Sequence, residues 1–279
     1  MSLRSTGLVS RAVEALRQVD AWPAERVSVG VLRGGETLAT HGPSDHVFRW
    51  ASVTKLTTAL ATLVAAEEGV VDLDQPAGPP GSTIRHLLAH ASGLPFDGEQ
   101  PMARPGQRRI YSNTGFEVLA KTVEEAAEMP FAEYLYAAVL CPLGMQAKLH
   151  GSPAAGLHGT LDDLLRFGAE LQRPKLVAPE TLVEATSVQF PGLAGVLPDL
   201  GRMDPNDWGL GFELKDAKKP HWTGSRNSPR TFGHFGGSGA FLWVDPEAGL
   251  ALGCLSDRDF GPWALEAWPV LSDAVFMSF

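Results

Sequence analysis

Ser52 and Lys55 stand three residues apart in the run Trp50-Ala51-Ser52-Val53-Thr54-Lys55, ahead of a stretch rich in Ala, Leu and Thr. On a helix, residues i and i+3 share a face. A serine hydroxyl is a weak nucleophile and needs a nearby base. A lysine in an apolar site can lose its charge, because burial disfavours the ammonium. At a helix start the Ser52 amide is free to point at a developing oxyanion. The same pair also reads as an N-cap serine with a lysine reaching to water. The second constellation is Tyr111-Ser112-Asn113. A phenol beside cations can hold a depressed pKa and pass protons. Asn113 can donate to a substrate carbonyl and orient the lysine, or it can simply be the N-cap of a following helix. The third is His234-Phe235-Gly236-Gly237-Ser238-Gly239. Gly236 and Gly237 let a substrate lie close against the backbone, and an exposed N–H there would be a second oxyanion donor. The alternative is a Gly-rich turn feeding a strand.

Joined in this order, the three stretches resemble the motif set of serine β-lactamases and penicillin-binding proteins. The resemblance is to the branch that holds class C β-lactamases, DD-peptidases and β-lactamase-fold esterases, which carries a tyrosine in its second motif. It extends through His86-Leu87-Leu88-Ala89-His90-Ala91-Ser92-Gly93-Leu94-Pro95, Pro105-Gly106, Pro142-Leu143-Gly144-Met145, Gly159 to Phe167, Trp208 to Phe212 and Phe232 to Pro246. It covers about Phe48 to Arg258. The resemblance implies that Ser52 forms an acyl-enzyme while Lys55 and Tyr111 share the general-base and general-acid work. It implies that Asn113 fixes the substrate and that the amides of Ser52 and Gly237 make the oxyanion hole. It implies one catalytic domain over 1–279 of the α+β class, an antiparallel sheet flanked by helices plus a helical subdomain. The sheet part is expected from about 1–50 and 205–279, the helical part from about 51–204. No cofactor is implied.

His234 departs from the lysine that β-lactamases usually carry in the third motif. A neutral histidine attracts a carboxylate less than a permanent ammonium does. The chain is also short for the family, so some lids and insertions are expected to be missing. Both points favour a small ester or amide as substrate. The alternatives are a β-lactamase or D-alanyl-D-alanine carboxypeptidase, and, from another class, a non-catalytic relative that keeps the cleft for binding.

Other signals are weaker. His86 and His90 are spaced i, i+4, which suits a metal pair on one helix face, but no HExxH-type glutamate accompanies them and the resemblance puts them in a structural helix. Trp50, Trp208, Trp222 and Trp243 default to core packing; Trp222, in a polar loop, is the best candidate for a cleft wall. Cys141 and Cys254 show no metal spacing and read as two buried thiols.

Elements must hold these residues. Val9, Ala12, Val13 and Leu16 form a helical stripe within 6–19. Val27 to Leu32 and Glu36 to Thr40 alternate as strands around the Gly34-Gly35 turn. A buried helix is expected from about Ser52 to Gly69, with others near 84–90, 115–127, 131–139 and 161–173. The segment 186–206 reads as irregular. Short strands are expected over 208–215, 239–244 and 250–255, and a closing helix over 263–276. With 23 basic and 32 acidic side chains among 279 residues, the net charge is −9, which argues against a duplex nucleic-acid binder while allowing a local basic pocket. No run reaches the length of a membrane span and no leader is visible, so a cytoplasmic protein acting on a small-molecule ester, amide or β-lactam is expected.

Overall fold

The computed structural model describes residues 3–279. β1 (Val27–Arg33) and β2 (Glu36–His41) form the expected hairpin, with Gly34 and Gly35 at φ 57° and 82°, the left-handed pair that a two-residue loop requires. β1 pairs with the last strand, β11 (Leu250–Ser256), which pairs with β10 (Ala240–Asp245), then β9 (Phe232–Gly236) and β8 (Glu213–Leu214). Every pairing is antiparallel, so the two ends of the chain share one six-stranded sheet.

Both faces of that sheet are covered. Successive side chains of a strand point to opposite sides, and here the two sides enter two separate cores. Phe241, Trp243, Leu252 and Cys254 pack with Ala12 and Leu16 of α1 (Leu3–Leu16) and with Trp268 and Leu271 of α8 (Pro262–Met277). Leu242, Val244, Ala251 and Leu255 pack with Leu164 and Leu165 of α6 (Leu161–Gln172). α6 can approach closely because Gly30 and Gly253 stand opposite each other in β1 and β11. A Cβ on Gly30 would lie 2.6 Å from Leu165 Cδ1, and one on Gly253 2.9 Å from Leu164 Cδ2. α6 begins with a capping box between Thr160 and Asp163, which satisfies orphan N–H groups of its first turn.

The remaining helices lie between the strands in sequence. α2 (Thr54–Glu67) is buried along its length from Thr54 to Ala65, as its nearly all-round apolar sequence requires. α3 (Ile84–Leu88), α4 (Asn113–Ala127), α5 (Phe131–Leu135) and α7 (Pro179–Ala185) accompany it, α5 running on into a π-helical turn over Tyr136–Leu140. A small sheet joins β3 (Phe48–Arg49), β5 (Leu157–Gly159) and β4 (Lys148–Leu149). No helix among the described residues is long and apolar enough to cross a membrane.

Several expectations need correction. The segment 186–206 is not wholly irregular: β6 (Gly195–Leu197) and β7 (Gly201–Met203) form a hairpin in it. β9 is a full strand, although in this stretch the reading from residue pattern alone begins a strand only at 239. Its glycines hide it, and at Gly233 glycine is required, since a Cβ would sit 2.0 Å from Leu242 O. Of the run 208–215 only Glu213 and Leu214 are strand, with Trp208 bridged to Glu213. α3 ends at Leu88, and His90 has φ +53°, so His86 and His90 do not share a helix face.

Candidate active site

Ser52 lies in a 3-10 turn, Ala51–Val53, that leads into α2. Ala51 before it has φ +44°, a region that L residues occupy only when their surroundings enforce it. The surroundings are visible. Trp50 N donates to Leu157 O at 2.9 Å, Leu157 N donates to Thr54 Oγ1 at 3.0 Å, and Ser238 Oγ donates to Arg49 O at 2.6 Å. The end of β9 presses on the same turn. A Cβ at Gly236 would lie 2.4 Å from Trp50 O and 3.1 Å from Ser52 N, so only glycine brings this strand end against the Ser52 amide. Gly237 borders the open space beside Ser52.

Lys55, the second residue of α2, is fully buried. Its Nζ is 3.3 Å from Ser52 Oγ, 2.6 Å from Asn113 Oδ1 and 3.0 Å from Ala154 O. Burial lowers the Lys55 pKa from 10.5 to about 7, against the opposing pull of Glu117 and Asp97. A neutral amine has two N–H groups and one lone pair. With Asn113 Oδ1 and Ala154 O taking the hydrogens, the lone pair is left for the serine hydroxyl. Asn113 Nδ2 lies 3.4 Å from Asp97 Oδ1, which agrees with its Oδ1 facing the lysine.

Tyr111 and Asn113 flank the N-cap of α4. That cap is Ser112, not Asn113: its Oγ accepts from Gly115 N at 2.8 Å and its N donates to His90 Nδ1 at 3.1 Å. Burial raises the Tyr111 phenol above its ordinary 10, opposed by a hydrogen bond with Ser52. The phenol also meets His234 Nε2 at 3.4 Å. His234 donates Nδ1–H to Phe235 O at 2.6 Å, which leaves Nε2 as an acceptor. Burial first, then the charge of Lys55, depress the His234 pKa to about 3, so this ring is neutral at physiological pH.

These groups close around a chamber of about 150 Å³ lined by Ser52, Tyr111, Trp208, Glu213, His234 and Gly237. A cavity of about that size holds a benzene-sized group. Trp208, not Trp222, is the tryptophan at its wall. Trp222 is buried on the α8 side of the sheet, with Nε1 3.0 Å from Glu213 Oε2 and its ring against Phe235 and Phe241. Its polar neighbours in sequence gave no sign of that buried carboxylate. Cys254 is buried, but Cys141 is exposed at the end of the π-helical turn. Among the described residues no group of three or more His, Cys, Asp or Glu is placed to hold a metal. Two contributors escaped the sequence reading. Ala154 acts through its carbonyl, for which a sequence carries no side-chain signal. His90 lies under Tyr111 with ring centroids 4.7 Å apart and is edge-on to Trp208 at 4.6 Å.

Comparison with known proteins bears on the family and the fold. Residues 20–148 and 146–275 match the β-lactamase family. A solved β-lactamase structure from Mycobacterium bovis is 54% identical, covers 94% of this chain and 98% of that one, and superposes with a TM-score of 0.93. Penicillin-binding protein 4* of Bacillus subtilis is 30% identical over 135 residues, 37% of this chain and 30% of that protein. The chain thus spans about a third of the length of that relative. Esterase EstB of Burkholderia gladioli is 24% identical over 83% of this chain and 82% of its own. The match across nearly the whole sequence, with the expected α+β architecture, establishes that this chain belongs to the β-lactamase family of hydrolase folds.

Proposed function

We propose that the chain is a serine hydrolase that cleaves small esters or amides through an acyl-enzyme at Ser52. The observation that carries this reading is the meeting of the Ser52 hydroxyl, the Lys55 amine and the Tyr111 phenol in one crevice. Lys55, poised near pH 7, takes the serine proton as Oγ attacks the carbonyl. The amides of Ser52 and Gly237 receive the oxyanion, each such donor contributing about 3 kcal/mol to the transition state. Tyr111, protonated at neutral pH, gives its proton to the leaving atom and regains one from the Lys55 ammonium. Water then attacks the acyl group with these roles reversed. In this reading the whole chain is one catalytic unit, with the site between its sheet part and its helical part.

A neutral His234 beside the nucleophile favours esters and amides without a carboxylate at that position. The second reading, β-lactam hydrolysis, is supported by the likeness to the mycobacterial β-lactamase, and D-alanyl-peptide cleavage by the likeness to penicillin-binding protein 4*. A non-catalytic binding role finds no support in a site that retains nucleophile, amine and phenol together.

Incubation with a fluorophosphonate and with a penicillin, followed by mass spectrometry, tests the core claim. One added group on Ser52, absent from Ser52→Ala, is expected; no adduct with either reagent would remove the reading. Turnover of p-nitrophenyl acetate is expected to exceed that of nitrocefin, and the reverse order would favour the β-lactamase reading.

A further inference from the structure

Beyond Tyr111 the small chamber opens into a groove of about 570 Å³, within the usual range of ligand sites. The two cavities share Phe96, Tyr111 and Pro198 as walls. The chamber alone holds only a small group, so a larger substrate has to extend into this groove. Its lining combines two chemistries. Phe96, Met102 and Val196 leave 50%, 61% and 59% of their surfaces exposed, and large apolar side chains left open around one concavity mark a binding surface rather than scattered exposure. Between them stand Arg108, Arg109 and Arg202, with no carboxylate in the lining. In a chain of net charge −9 this is a local reversal of sign.

The three arginines differ in what they can offer. Arg109 is buried and spent on carbonyls: Nε on Asn206 O at 3.0 Å, Nη1 on Ala89 O at 2.6 Å and Nη2 on Gln189 O at 2.7 Å. Its N donates to Ala194 O at 2.9 Å, which ties the loop before Tyr111 to the approach to β6. It builds the groove. Arg202 is paired with Asp204 at 3.1 Å. Arg108 is exposed, donates only to Met102 O at 3.3 Å, and has no carboxylate partner among the described residues. The chamber offers an anion no such partner: Asp199 stands in its lining, Glu213 is already paired with Lys218, and His234 is neutral. Among the described residues, the unpaired cation of the two cavities is in the groove.

We propose that this groove binds the apolar, carboxylate-terminated limb of the substrate, with Arg108 as the group that recognises the carboxylate. The substrate class is then an ester or amide whose scissile carbonyl is flanked by a small group and by an alkyl or aryl chain ending in an anion. Naming the occupant as substrate rests on the hydrolase reading above; the affinity of the groove for an amphipathic anion does not.

Calorimetric titration of the unmodified chain with octanoate and with 1-octanol needs no chemistry. Tighter binding of octanoate, weakening as salt is added, is expected. Arg108→Gln should weaken octanoate about fivefold, the upper range for an exposed ion pair, and change octanol less than twofold. Val196→Glu, which places a carboxylate in the groove at an exposed position, should weaken octanoate at least as much. Equal affinities for the two probes, no binding of octanoate, or an Arg108→Gln chain that binds it unchanged would each overturn the proposal. A second measurement compares kcat/KM for p-nitrophenyl octanoate with that for the p-nitrophenyl monoester of octanedioic acid, and for octyl acetate with 8-acetoxyoctanoate. Preference for the anionic member of either pair, lost in Arg108→Gln, assigns the limb to the acyl or the leaving side. Octanoate binding without hydrolysis of any ester would keep the groove and remove the hydrolase reading; hydrolysis with no anionic preference in either pair would do the reverse.

Discussion

Lys55 owes its basicity to burial, and that fixes how activity should depend on pH. Its pKa near 7 predicts that kcat/KM for p-nitrophenyl acetate falls tenfold per unit below about pH 7 and levels above it. A flat profile between pH 5 and 8 would contradict Lys55 as the base. Lys55→Arg, whose guanidinium keeps its proton, should lose activity by at least about a hundredfold. The same burial acts on stability with a definite sign. The native pKa lies below the unfolded value of 10.5, so between pH 7 and 10.5 the unfolded chain holds the extra proton and stability rises with pH across that window. His234 acts differently, as a neutral acceptor facing the Tyr111 phenol. His234→Ala should lower kcat about tenfold without moving the acid limb, since a neutral ring contributes no charge to Lys55. A shifted limb would show that the ring is charged.

At the scale of elements, the site depends on a close approach made by a glycine. Gly236 lets β9 press on the turn that carries Ser52. Gly236→Ala would drive a methyl to 2.4 Å from Trp50 O, and backbone yields only by moving the turn. The cost should be about 1–3 kcal/mol of stability and about a hundredfold in kcat/KM, as expected for a nucleophile displaced by about 1 Å. Urea denaturation and p-nitrophenyl acetate kinetics measure both. At Gly237 a Cβ meets nothing within 4 Å, so the stability of Gly237→Ala should stay within about 0.5 kcal/mol. The elements themselves were legible in unequal measure. Continuous apolar runs made α2, β10 and β11 readable, the acidic first turn marked α6, and the Gly34-Gly35 turn gave the first hairpin. β9 was hidden because its glycines answer to tertiary contacts and lower its strand signal. The β6–β7 hairpin was hidden by loop-forming residues on both sides.

A buried ion pair, Glu213 with Lys218, borders the chamber. Glu213 on β8 is buried with Lys218, His221 and Trp222; Lys218 pairs with its Oε1, and His221 Nε2 and Trp222 Nε1 lie 2.9 and 3.0 Å from its Oε2. Lys218 also donates to Asp207 O and Leu214 O, both at 2.6 Å. Burial alone would raise the Glu213 carboxyl, but Lys218 and His221 together hold it down at about 2. The pair is ionised, because the carboxylate receives three donors. Glu213→Gln should cost about 3–5 kcal/mol by leaving a buried ammonium unpaired. The contribution is fully present above the unfolded carboxyl value of 4.5 and is lost as pH falls toward 2. The gap in urea midpoint between the unmodified chain and Glu213→Gln should therefore narrow over that range. A constant gap would mean that the cost is packing and not charge.

The sequence by itself determined the family and the close spacing of Ser52 and Lys55 at the entry to α2, because spacing along one stretch of chain is a local property. It could not determine that Lys55 is dry enough to be a base, that His234 is neutral, or which tryptophan faces the cleft. Those are properties of burial and of partners distant in sequence, such as Asn113 and Ala154 O for Lys55 and Tyr111 for His234. Desolvation and long-range hydrogen bonding exist only once the sheet and the helices have closed on each other, and it is there that the pKa values and the shape of the groove were decided.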